Sequence, residues 1–162
     1  MSFVRNLISR FLPGSASGEF KVAEDASARL LHLLTGPVRL YAFDFKAIPL
    51  KPEIQPMLGF LAAASDVFAH DAGGRLGGPG SINATLRVYQ SLFDDRQTEA
   101  LMGSTFELYH EPTEGFETGR KLGIAFATSL LRQDTDTPTM IVLRLFSERY
   151  RKYCGNPDGL DK

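Results

Sequence analysis

Two pairs of residues carry the clearest chemical potential in this chain. Asp66 and His70 stand four apart, which puts both on one side of a helix. Glu107 and His110 form a Glu-x-x-His pair, the spacing by which helical di-iron proteins direct two ligands at one metal. Glu111, Glu114 and Glu117 follow closely. A carboxylate-rich site with two histidines suits iron, manganese or zinc, so Asp66, His70, Glu107 and His110 are the candidate ligands of a metal-dependent helical enzyme. The pattern is incomplete, however. A di-iron site wants a second Glu-x-x-His, which the chain lacks, and Pro112 interrupts the helix just past His110. The leading expectation is no cofactor, with Fe, Mn or Zn as the alternative.

Nucleophilic chemistry has less to stand on. Cys154 is the single cysteine, so an internal disulfide and a cysteine-built metal site are both excluded. Its basic neighbours Arg149, Arg151 and Lys152 would lower a thiol pKa, yet no histidine is close in sequence and no GxSxG elbow occurs. The glycine-rich run Asp71 to Gly80 lacks the phosphate-cradling GxxxxGK[ST] and GxGxxG arrangements and is expected to be a mobile loop. Arg144 to Lys152 holds four cations against one acid, with Tyr150 beside them. Cations in a last helical turn favour the helix dipole and need no partner. With a net charge of −1 over 162 residues, nucleic acid is not the expected partner.

The elements that would position these groups are mostly helices. From Thr113 to Cys154 two helices flank a polar turn at Asp134–Pro138. Phe116, Gly119, Gly123, Phe126 and Leu130 line one face of the first, and Ile141, Val142, Leu145, Phe146, Tyr150 and Tyr153 that of the second. Gly119, Gly123 and Ala127 make a ridge with almost no side chain, which invites close approach by another helix. Helices are also expected over 25–35, ended by Gly36-Pro37, and over 53–70. Two more should follow, one capped by Ser81 and one starting at Asp94 or Asp95 and broken by Gly103-Ser104. Val38 to Ile48, with Tyr41, Phe43 and Phe45 alternating, reads as a strand, and residues 19–22 read as a second short one. The expected fold is a mainly α, single-domain bundle of six or seven helices with room for one or two short strands; α+β is the alternative.

Residues 1–12 form an amphipathic segment with Phe3, Val4, Leu7, Ile8, Phe11 and Leu12 on one face and Arg5, Asn6, Ser9 and Arg10 on the other. Residues 13–18 read as a flexible linker, 19–155 as the helical domain and 156–162 as a polar tail. Six large apolar side chains, each worth about 1.5–3 kcal/mol when buried, favour a cover of some kind. The chain's own domain, a second copy, a protein partner and an anionic membrane surface are the candidates. No apolar run reaches the roughly 18 residues of a membrane span, and the lone cysteine suits a reducing compartment. The reading is therefore a cytoplasmic, non-catalytic helical interaction module that self-associates or docks a protein. Its contact residues would be Phe3, Leu7, Ile8, Phe11, Gly119, Gly123 and Ala127; a peripheral membrane protein held by its N-terminal helix is the further alternative.

Overall fold

A computed structural model describes residues 16–155, and among them six α-helices build a mainly α bundle. Helix α1 (Ala16–Tyr41) presents Val22, Ala23, Ala26, Leu30 and Leu34 to the core at helical spacing. It takes up residues 16–18, expected as linker, residues 19–22, expected as a strand, and the Gly36-Pro37 pair expected to end it. Proline inside a helix costs about 3 kcal/mol. Burial of Tyr41, one turn beyond, offsets that cost, with its ring 6.3 Å from that of Phe146.

The strand expected over Val38 to Ile48 does not form. The alternation nonetheless reports burial correctly, since Tyr41, Phe43 and Phe45 are only 3%, 6% and 4% exposed. No neighbouring strand is present among the described residues to pair with them. Phe43 instead makes one isolated antiparallel bridge with Cys154, and Phe45–Ala47 closes into a 3-10 turn capped by Asp44. The aromatic rings are core: Phe43 meets Phe45 at 4.8 Å and Phe146 at 4.7 Å, edge to face.

Helix α2 (Gln55–Asp71) is the centre of the molecule, buried continuously from Pro56 to Ser65 and again at Phe68 and Ala69. It starts without a side-chain cap of its own. The Tyr150 hydroxyl accepts from the Met57 N–H at 3.1 Å and donates to the Glu53 carbonyl at 2.7 Å, so a residue 93 positions away supplies the cap.

The glycine-rich run between α2 and the next helix is a short turn. Asp66 accepts from the Gly77 N–H at 2.7 Å and from the Ser81 hydroxyl at 2.6 Å, while Gly73 and Gly77 take the positive φ that the reversal demands. Helix α3 (Pro79–Leu92) consequently begins two residues before Ser81, with Gly78 as its N-cap. Helix α4 (Asp95–His110) opens on a capping box between Asp94 and Gln97 and passes through Gly103-Ser104 unbroken.

Helix α5 (Glu114–Leu131) is capped by Thr113 and packs more extensively against α2 than any other pair of elements packs. Helix α6 (Asp136–Val142) widens into a π-helical stretch, Leu143–Arg149, and then tightens to a 3-10 turn, Arg151–Tyr153. The predicted stripe survives these changes of pitch, because Ile141, Leu145, Phe146 and Tyr150 all face the core.

Candidate functional site

An open groove of about 520 Å³ lies where the start of α2 meets the C-terminal half of α4. One wall is Leu50, Lys51, Ile54, Gln55 and Leu58, and the other is Ser104, Glu107, Leu108, His110 and Glu111. Prolines at 49, 52 and 56 hold Leu50 and Lys51 out of the helix, so they form a lip beside its first turn. Ile54, Leu58 and Leu108 make the floor and belong to the core, whereas Leu50, 39% exposed, stands at the mouth. Thr113 donates to the Gln55 side chain at 2.7 Å and ties the start of α5 to this wall.

The charge of the groove is uneven. Glu107 and Glu111 project one turn apart at the C-terminal end of α4, where the Glu111 N–H closes the helix on the Glu107 carbonyl at 2.8 Å. A helix C-terminus carries roughly half a negative charge, which adds to the two carboxylates. Lys51 faces them from the opposite wall. The arrangement suits a ligand with apolar side chains and a cationic edge, within the 300–1,000 Å³ range usual for binding clefts.

The two acid–histidine pairs end up in different places. Asp66 is engaged by the Ala72–Gly78 turn, and the His70 Nδ1 lies 3.1 Å from the Gly74 carbonyl. Glu107 and His110 line the groove. Among the described residues no three His, Cys, Asp or Glu side chains group so as to hold a metal ion, and the four candidate ligands stand as two separate pairs.

The Gly119, Gly123 and Ala127 ridge lies inside the molecule. All three are buried against the chain's own α2: a Cβ at Gly119 would collide with the Pro56 carbonyl, and one at Gly123 with that of Phe60. The close helix approach foreseen for this ridge is thus met inside one molecule, and no partner can reach it. Phe3, Leu7, Ile8 and Phe11 lie outside the described residues.

In the basic C-terminal segment, Lys152 pairs with Glu53 at 2.9 Å and the Tyr153 hydroxyl donates to the same carboxylate. These contacts hold the Glu53 carboxyl below the usual range, Tyr153 first and Lys152 second. Cys154 donates its thiol to the Phe146 carbonyl at 3.3 Å, and burial pushes that thiol up. Among the described residues no helix is long and apolar enough to cross a membrane.

Sequence reasoning reaches Glu107 and His110 but misses Leu50, Lys51, Gln55, Leu108 and Glu111 as members of one surface. Their juxtaposition depends on α2 and α4 crossing, a relationship with no local signature. Comparison with protein-family models, with curated proteins and with solved structures finds no match.

Proposed function

We propose that this chain is a non-catalytic helical interaction module, cytoplasmic in setting, that self-associates or docks a protein partner through its amphipathic N-terminal segment. The groove between α2 and α4 is the observation that carries the reading. It is a preformed concavity with Leu50 exposed at its mouth and Glu107 and Glu111 on one wall, and an amphipathic helix with a cationic edge is the ligand it suits. The apolar positions of residues 1–12, at helical spacing in the sequence, suit a partner.

Light scattering of the whole chain, and of a variant lacking residues 1–12, tests this. Concentration-dependent association, or a stable complex with a protein, that disappears with the segment is the expected result. A strict monomer whose behaviour and stability are unchanged by the deletion would overturn it.

A further inference from the structure

We infer that the groove of one chain receives residues 2–12 of a second copy; the inference rests on the interaction reading above and names its partner. The apolar face of that segment (Phe3, Leu7, Phe11, with Val4 and Ile8 beside them) is flanked by Arg5 on one side and Arg10 on the other, and the segment contains no acid. The groove offers Leu50 exposed at its mouth and the Glu107–Glu111 wall for the arginines, with Lys51 across from it; Ile54, Leu58 and Leu108 beneath are already buried. With the apolar face seated, one flanking arginine falls on the acidic wall and the other sits at the outer edge, on the side of Lys51.

Geometry selects a second copy over the chain's own segment. Near its start α1 abuts the far end of α2, where the Val22 side chain packs beside Gly74 and Gly80. The end of α1 lies at the groove side, where Phe43 meets Tyr150, the residue that caps α2. Ala16 therefore points away from the groove. From the level of Leu58 to that of Ala69 is about 16 Å along α2, and Ala16 is about 9 Å beyond Val22 along α1. Pro13 to Ser15 spans at most about 10 Å. Eleven residues span about 16 Å in helical form, so on this tether residues 2–12 in that form would bring only their first positions to their own groove. Between two copies the same tether suffices, and reciprocal exchange closes a two-fold dimer.

The test is sedimentation equilibrium on whole chains, with circular dichroism to verify folding. E107K/E111K, on exposed positions, is expected to raise the dimer dissociation constant tenfold or more, and R5E/R10E likewise. Combining all four substitutions should return it to within about threefold of the parent, and Leu50→Asp should weaken association without touching the acids. If F3S/L7S/F11S abolishes association while E107K/E111K and Leu50→Asp leave it within twofold, the interaction reading stands and the groove is not the receptor. Retention on anionic vesicles that is lost with R5E/R10E but indifferent to the groove variants likewise excludes the groove as the receptor. A parent chain that is monomeric at every concentration overturns this inference, and the docking of a different protein is then decided by the deletion test above.

Discussion

Gly119 rests directly on the carbonyl of Pro56, with no space between the two for even a methyl group. This contact, repeated by Gly123 on Phe60 and by Gly59 on Phe116, sets the separation of α2 and α5. In an open helix position Gly→Ala gains up to about 1 kcal/mol, but overpacking a tight interface costs typically about 1–3 kcal/mol and sometimes more. Backbone cannot move aside as a side-chain tip can, so the steric effect wins. Gly119→Ala should lower the unfolding free energy by at least about 2 kcal/mol. Gly103→Ala, in α4 with nothing within 4 Å of the added atom, should be neutral or stabilising. Urea denaturation of the two variants checks the contrast, and equal effects would contradict it.

Tyr150→Phe keeps the ring and removes only the hydroxyl that bridges Met57 and Glu53. A buried donor and a carbonyl then lose their partner, at a cost of about 1–3 kcal/mol. Hydrogen exchange should accelerate at Met57 more than at the centre of α2, and uniform protection would argue against the capping role.

The Glu53 clamp predicts a pH dependence of definite sign. Because its carboxyl titrates lower folded than its ordinary value of 4.5, ionisation favours the folded state. The stabilisation is present above that ordinary value and disappears as the pH falls through the lowered one. Glu53→Gln should therefore melt earlier than the parent at neutral pH and together with it once the pH has fallen below the lowered value. A gap that persists into acid would show that packing, not charge, holds the clamp.

Asp66→Ala removes the acceptor for Gly77 and Ser81 and should loosen the Ala72–Gly78 turn. A loss of about 1–2 kcal/mol is expected by analogy with a lost helix cap. Limited proteolysis reads it as new cleavage between Asp71 and Pro79; resistance equal to the parent would mean the glycines hold the turn unaided.

Cys154 is held as a thiol by burial and donates to Phe146. Iodoacetamide should modify it more slowly than a free cysteine at about pH 7.5, and the rate should rise to the free value in denaturant. Rapid reaction in the folded state would refute this.

Much of the architecture is legible in the sequence because helical burial repeats locally. The faces of α2, α5 and α6 follow from three- and four-residue spacing alone, and the start of α4 is marked by Asp94 or Asp95. The departures share a cause in contacts distant in sequence. Pro37 reads as a stop until Tyr41 is seen packed on Phe146, and the glycine run reads as slack until Asp66 grips it. The ridge at Gly119 is recognisable as a close-approach surface, but which helix fills it depends on tertiary pairing. The groove is least legible of all, since its two walls come from segments some fifty residues apart.

Helix α2 receives its first-turn cap from Tyr150, and the rings of Tyr41, Phe43 and Phe45 are closed over by Phe146. The rings that cover Tyr41 and Phe43 thus come from a segment about a hundred residues further along the chain. A chain cut before residue 143 would lack the piece that seals them and should be an easier substrate for chaperones and proteases.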